Sequence, residues 1–234
     1  MKQIENIYAE IQQVAEAMLH KGWAERNAGN FSLRIDPDLA ATLPEFTETK
    51  TIYDKKDKDL ANEHISLLIS HSGAKCRDIA KNATQQCGLL ESKGGKLTYL
   101  SHAAADPSSE FLCHLAIHRY ISHTNPQIKV VLHTHPTHLI AFSHKYQHLA
   151  KYKMNKFLTG IMPELNVFIP KDIGTVKFLP PGSLELAKET IGELKEHDIV
   201  IWQKHGCLAV AETLWDAFDL IDIADKAAQI ALYL

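Results

Sequence analysis

Val130-Val131-Leu132-His133-Thr134-His135-Pro136-Thr137-His138 starts with three apolar residues, two of them β-branched, and reads as a buried strand. Alternation along a strand puts His133 and His135 on one face, with Cα atoms roughly 6–7 Å apart, so that two imidazoles can converge on one ion. Pro136 cannot donate to a sheet ladder, and the strand ends there. Both histidines are left at an open sheet end, where α/β proteins commonly hold ligands. Spacing by itself is not decisive in a chain with 14 histidines. His114 and His118, and His144 and His148, stand i, i+4 apart, which is equally a metal-ligand spacing on a helix. Those two pairs are expected on helix faces or rims, and the case for His133 and His135 rests on what the rest of the chain supplies.

A helical pattern runs from Thr137 to about His148, and another begins near Phe111 and continues to about Ser122. The approach to the second, Ala105-Asp106-Pro107-Ser108-Ser109-Glu110, offers Asp106 or Ser108 as N-cap and Pro107 for the first turn. Glu110 there complements the helix dipole. The free N–H groups beside Ser108 and Ser109 also suit a phosphate. Further on, Ile199 to Trp202 is a central strand by composition and opens onto Gln203-Lys204-His205-Gly206, after which Cys207 to Ala211 returns as a strand. His205, at a strand end before a glycine that lets the backbone turn sharply, is a natural third ligand beside His133 and His135. Three neutral imidazoles leave a Zn2+ site open to substrate, and a nearby acid then becomes a candidate base, Glu110 first.

Ile4, Ile7, Ile11, Val14 and Met18 recur at three- and four-residue steps and predict a helix over about residues 3–20, stopped at Lys21-Gly22. Asn27-Ala28-Gly29-Asn30 then leads into a strand, Phe31 to Ile35. It serves either as a plain turn tolerant of positive φ or as a backbone and amide nest for an anion. Ile65 to Ser70 is a strand running into His71-Ser72-Gly73, a second short polar turn, and Gly94-Gly95 joins Gly88–Glu91 to Lys96–Ser101 in a hairpin. Asp36 to Glu63, with its mixed charge run Asp54 to Asp59, reads as a surface excursion. The pattern is weak from Lys151 to Pro163. Beyond Glu164, Leu165 to Ile169 reads as a strand, Gly174 to Leu179 as another, and Ser183 caps a helix. The last helix, about Thr213 to Leu232, buries Leu214, Phe218, Ile221 and Ala228 while Asp216, Asp219 and Asp225 face elsewhere.

No linker, repeat or low-complexity tract divides residues 1–234, which read as one α/β domain with a mixed, largely antiparallel sheet and helices on both faces. A net charge of −3 provides no attraction for nucleic acid or an anionic membrane, so neither is an expected partner. No segment approaches the ~20 apolar residues of a membrane span, and the N-terminus lacks the apolar core of a signal peptide. A cytoplasmic protein is expected. Four cysteines with no C-x-x-C pair are expected as small buried hydrophobes in a reducing compartment.

Taken together and in order, Glu25-Arg26-Asn27-Ala28-Gly29-Asn30, His71-Ser72-Gly73, Ser108-Ser109-Glu110, His133-Thr134-His135-Pro136 and Lys204-His205-Gly206 resemble the class II aldolase family of sugar-phosphate lyases and epimerases. The resemblance covers nearly the whole chain. It implies a three-layer α/β/α sandwich, a cyclic homotetramer, and one zinc ion per subunit held by His133, His135 and His205. It further implies that Glu110 is the catalytic acid/base and that Asn27, Gly29, Asn30, Ser72, Gly73, Ser108 and Ser109 form a phosphate pocket. Glu164 resembles a second catalytic carboxylate that reaches an active site across a subunit boundary. The implied reaction splits a ketose 1-phosphate, L-rhamnulose 1-phosphate first among them, into dihydroxyacetone phosphate and L-lactaldehyde through a metal-stabilised enediolate. Sugar-phosphate epimerases and dehydratases on the same scaffold, and non-catalytic domains like the adducin head, are the alternatives. The chain departs from the rhamnulose-phosphate branch in ending at Leu234, soon after its last helix, and in carrying Ala209 and Ala211 where the family often has glycine.

Overall fold

A computed structural model describes residues 2–52, 63–149 and 151–234. The charge run Asp54 to Asp59 lies outside them. The elements in order are α1 (Lys2–Lys21), β1 (Asn30–Ile35), α2 (Pro37–Ala40), β2 (Glu48–Ile52), β3 (Ile65–Ser70), α3 (Cys76–Ile79), α4 (Ala83–Gln86), β4 (Cys87–Lys93), β5 (Lys96–Ser101) and α5 (Phe111–Thr124). They continue with β6 (Val130–Thr134), α6 (Thr137–Lys145), α7 (Lys151–Ile161), α8 (Leu165–Phe168), β7 (Gly174–Val176), α9 (Leu184–Glu193), β8 (Ile199–Trp202), β9 (Gly206–Ala211) and α10 (Leu214–Tyr233).

The strands form one nine-stranded sheet in the order β2-β5-β4-β3-β1-β6-β9-β8-β7. Neighbours are antiparallel except β7 and β8, so the expected mixed, largely antiparallel sheet is what forms. Alternation sorts its side chains. Phe31, Leu33, Val130 and Leu132 join residues of α1 and α10 in one core, while Val131, Val200 and Leu208 join α5 and α9 in the other. Helices therefore cover both faces, giving the α/β/α sandwich. His133, two residues from Val131, faces the α5 side with Asn30 and Ser32.

Local chemistry explains the element ends. α1 stops at Gly22, whose φ is 71°, with Trp23 N–H donating to the Met18 carbonyl and Gly22 N–H to that of Leu19, the paired bonds of a Schellman cap. The β4–β5 hairpin turns on Gly94 and Gly95, both at positive φ. α6 has Pro136 at its N-cap and no capping side chain of its own. Asp225 of α10 supplies it, accepting from the His138 and Leu139 N–H groups at 3.0 Å each and from His138 Nδ1 at 2.9 Å. Asp225, off the apolar stripe of α10 as expected, is nevertheless buried beneath α6. Since α6 directly follows β6, this cap also fixes the chain leaving the histidine strand.

Several expectations need correction. Leu165 to Ile169 is not a strand: α8 forms there, with Val167 and Phe168 exposed, so the short apolar run never alternates between two buried sheet faces. The weakly patterned stretch after Lys151 is the helix α7, anchored by buried Met154, Asn155 and Leu158. The strand from Gly174 extends only to Val176, and α6 ends at Lys145, short of His148. His114 and His118 are not rim residues. Both rings are fully buried against Ser32. Of the surface excursion, α2 and β2 are ordered short elements.

Two consequences are measurable. Asp225→Ala should lower the unfolding free energy by roughly 2–3 kcal/mol, because two helix N–H groups lose a buried ionic acceptor; urea unfolding checks this, and a change below about 0.5 kcal/mol would contradict it. Burial pushes His114 down to about 4 and holds His118 well below its ordinary value. The unfolded chain then binds protons near pH 6.5 that the folded chain refuses, so stability is complete above that pH and falls as pH drops from 6.5 towards 4, by on the order of 3 kcal/mol for His114. Thermal unfolding should already fall between pH 6.5 and 5.5; a midpoint flat down to pH 5, set by carboxylates alone, would contradict it.

Candidate metal centre and active site

The end of β6, the start of β1 and the β8–β9 turn meet at one end of the sheet, where Asn30 pairs with His133 and Thr134 with Cys207. His205 sits in the turn between Trp202 and Gly206, its N–H donating to the Trp202 carbonyl at 3.0 Å. The positive φ of that turn falls on Lys204, at 66°, and not on the glycine. Gly206 is required for a different reason: a Cβ there would lie 2.5 Å from the Thr134 carbonyl and 3.0 Å from the rings of His133 and His135. Any side chain would push the β6 end away.

His133, His135 and His205 are brought together. Their ring centroids lie 4.8–5.1 Å apart, and one nitrogen from each falls within 4.8 Å of the others. Two of the rings are oriented from behind by hydrogen bonds, whereas His205 Nδ1 is buried with no hydrogen-bond partner among the described residues. His133 Nδ1 donates to the Cys207 carbonyl at 2.8 Å and His135 Nδ1 to Glu25 Oε1 at 2.6 Å, leaving the Nε2 lone pairs free. Trp202 lies against the His133 ring and stacks on that of His205. The Trp23 carbonyl accepts from His135 N–H and Thr134 Oγ1, tying the β6 end to the turn after α1.

Burial keeps two of these rings neutral. Burial, reinforced by His135, pushes His133 down to about 3. Burial and then His133 push His205 to about 4, against the opposing pull of Glu110. Glu110 is itself buried, with Oε2 3.7 Å from His133 Nε2 and 2.8 Å from the donating Asn30 Nδ2, and Oε1 4.0 Å from His205 Nε2. A buried carboxylate whose neighbours are an amide and two neutral imidazoles carries an uncompensated charge. Three imidazoles with nitrogen lone pairs free beside that charge fit a divalent cation, with room left for substrate.

Glu110, not Asp106 or Ser108, occupies the N-cap of α5, and its side chain makes no cap bond. It points at the histidines instead. Ser108 Oγ accepts from the Glu110 N–H at 3.3 Å, and Asp106 pairs with Lys50. The polar turns are neighbours: Ser72 N–H donates to the Asp106 carbonyl at 2.8 Å and Ser108 N–H to that of Ser70 at 3.0 Å, placing Ser72-Gly73 beside Ser108-Ser109. Ser72, Gly73, Ser109 and Asn27 are exposed, and Ser108 is buried. Gly29, at φ 80°, approaches the His133 carbonyl so closely that a Cβ would lie 3.2 Å from it. Both ends of the Asn30 amide are engaged, one by Glu110 and the other by His114.

Glu164 is not brought to this group within the chain. It is exposed at the start of α8, between Met162 and Phe168, which line a cavity of about 740 Å3 with Ala211 and Glu212 at the opposite ends of β6 and β9. The sequence did not mark Glu25 or Ser32 as part of the site, and it offered His114 only as a helix-face partner of His118. Glu25 stands inside a quoted motif, but nothing local links it to a histidine 110 positions away. His114 stands one helical turn after Glu110, a spacing that puts the two on one side of the α5 start.

The 31% identical rhamnulose-1-phosphate aldolase of Bacteroides thetaiotaomicron aligns over 94% of this chain and 82% of its own length. That of Yersinia pseudotuberculosis is 32% identical over 91% and 80%. The crystal structure of a sugar-phosphate aldolase from Thermotoga maritima superposes with a TM-score of 0.83 at 32% identity, covering 99% of this chain and 95% of that one. L-fuculose-1-phosphate aldolase from Thermus thermophilus, at 22% identity and a TM-score of 0.65 over 97% and 93%, shares the fold. No helix among the described residues is long and apolar enough to cross a membrane. Residues 9–232 match the family described as class II aldolase and adducin N-terminal domain, and the chain, a lyase, belongs to that family.

Proposed function

We propose that this lyase cleaves a ketose 1-phosphate, L-rhamnulose 1-phosphate first among them, into dihydroxyacetone phosphate and L-lactaldehyde, using zinc held by His133, His135 and His205. The observation that carries the reading is the buried Glu110 carboxylate beside three converging imidazoles, two of them held neutral by burial, at a sheet end ringed by small polar turns. Its relatives named rhamnulose-1-phosphate aldolase support the substrate. When bound, the ion supplies positive charge that offsets the negative charge building on the substrate oxygens as the carbanion forms.

The chain's own residues do the remainder. Glu110 moves the proton at the carbon beside the ketone: it delivers the proton to that carbon after the C3–C4 bond has broken, and removes it in the direction of synthesis. The hydroxyls of Ser72, Ser108 and Ser109, the side chain of Asn27, the second amide hydrogen of Asn30 and the N–H groups of Gly29 and Gly73 bind the phosphate, which supplies orientation and not reactivity. Glu164 takes the C4 hydroxyl proton from a neighbouring subunit of a homotetramer. Phosphorylated sugars do not cross bilayers, so the enzyme works in the cytoplasm where they are made.

Incubating the protein with L-rhamnulose, L-fuculose and ribulose 1-phosphates should release dihydroxyacetone phosphate, fastest from the first. Release from none of them would overturn the aldolase reading, and epimerisation without triose would show another reaction on this scaffold. Glu110→Ala should retain near-stoichiometric metal while losing roughly 10²- to 10⁴-fold in kcat. Mixing inactive Glu110→Ala and Glu164→Ala subunits should restore activity, since one site in the mixed oligomer then holds both carboxylates; no restoration would contradict the crossing of Glu164.

A further inference from the structure

Behind Glu110 runs a chain of buried polar groups. Glu110 Oε2 accepts from Asn30 Nδ2 at 2.8 Å, and the other end of that amide, Oδ1, lies 2.5 Å from His114 Nε2. His114 Nδ1 is 2.6 Å from Ser32 Oγ, and that hydroxyl is 2.8 Å from His118 Nε2. Ser32, His114 and His118 are fully buried, and His118 Nδ1 has no hydrogen-bond partner among the described residues.

The direction of every bond in this chain follows from its two ends. A carboxylate only accepts, so Asn30 turns its NH2 towards Glu110 and its carbonyl oxygen towards His114, whose Nε2 must donate. A neutral His114 then has a lone pair on Nδ1, so the Ser32 hydroxyl donates to it. Ser32 in turn accepts from His118 Nε2–H. His118 is left with an unpaired lone pair on Nδ1, a less costly orphan than a buried N–H. The reverse order fails twice: it sets the Asn30 carbonyl against the Glu110 carboxylate and leaves a buried N–H on His118 unsatisfied. All the donors therefore point one way, towards Glu110, and bonds aligned in series strengthen one another.

A core that needed only stability would be served as well by apolar side chains of the same volume. We propose that His118, Ser32 and His114 are positioning residues that act through the Asn30 amide to hold the Glu110 carboxylate in the orientation its proton transfer requires. This rests on the reading of Glu110 as the proton-transfer group. His118 and Ser32 lock the His114 tautomer, His114 locks the amide against flipping, and the amide fixes one carboxylate oxygen while the other faces His205. None of the three touches substrate.

The test uses the full-length metal-loaded protein and follows deuterium exchange from solvent into dihydroxyacetone phosphate, the proton transfer isolated from bond cleavage. Ser32→Ala and His114→Phe should lower the exchange kcat roughly 10- to 100-fold with KM for dihydroxyacetone phosphate shifted less than about threefold and metal content unchanged. His114→Gln, whose amide can donate to Asn30 and accept from Ser32, should recover most of the loss. Ser32→Ala removes one oxygen, and its unfolding midpoint reports whether the fold survives. Nitrogen-15 correlation spectra of histidine-labelled protein should show His114 and His118 neutral and protonated at Nε2 at pH 7. Exchange left intact by Ser32→Ala and His114→Phe, a loss carried by KM, equal loss in His114→Gln, or an Nδ1–H tautomer at either ring would overturn the inference. No exchange in the wild-type protein would instead overturn the reading of Glu110, and the inference with it.

Discussion

A negative charge buried among neutral rings is the constraint on which this structure turns. Glu110 loses most of its water, and desolvation keeps His133 and His205 from supplying a compensating proton. Such an arrangement is expensive unless the surroundings hold it rigidly and a cation completes it. The rest of the fold reads as a set of supports. β1 brings Asn30 alongside His133, the Trp23 carbonyl ties the β6 end to the α1 turn, and Gly206 lets the β8–β9 turn approach to backbone contact distance. Asp225 reaches from the last helix to cap α6 just beyond the histidines.

Much of this was legible because the period of a strand is two. That period puts His133 and His135 on one face from their spacing alone, and the apolar runs on either side of Lys204-His205-Gly206 place a third histidine at a strand end. Glu110 was visible as an acid at a helix start. Its geometry was not, because whether such an acid caps its helix or turns into the site depends on groups from β1 and β6 that lie far off in sequence. The same distance hides Glu25 behind His135 and Asp225 beneath α6. Leu165 to Ile169 shows a different limit: five residues of apolar bias fit strand or helix, and tertiary burial, which covers Leu165 and Ile169 but leaves Val167 and Phe168 in solvent, decides for the helix.

His114 and His118 mark the boundary between those cases. Their i, i+4 spacing is the signal that a metal site on a helix would give, yet they face a serine hydroxyl inside the core. What distinguishes them from the converging histidines is what lies across from each ring. His133 and His135 meet acceptors behind and the converging ring of His205 in front, whereas His114 is bonded at both nitrogens. Spacing reports which residues can share a surface; only the opposite surface decides what they do there.

The strand order assigns β1 a singular place: it alone is hydrogen-bonded both to β3, which leads the β4-β5-β2 wing, and to β6, which leads the β9-β8-β7 wing. The converging histidines all belong to the second wing, and the Ser72-Gly73 turn follows β3, the strand of the first wing that pairs with β1. β1, which also carries Asn30 and Ser32, is thus the seam between a half that ends in the polar Ser72-Gly73 turn and a half that carries the three histidines. The seam does not divide the core, however: Leu68 and Leu89 of the first wing share one buried cluster with Ile199, Ile201 and Ala209 of the second. A change of side-chain volume under either wing is therefore transmitted across β1 to the other, because a close-packed interior passes strain on.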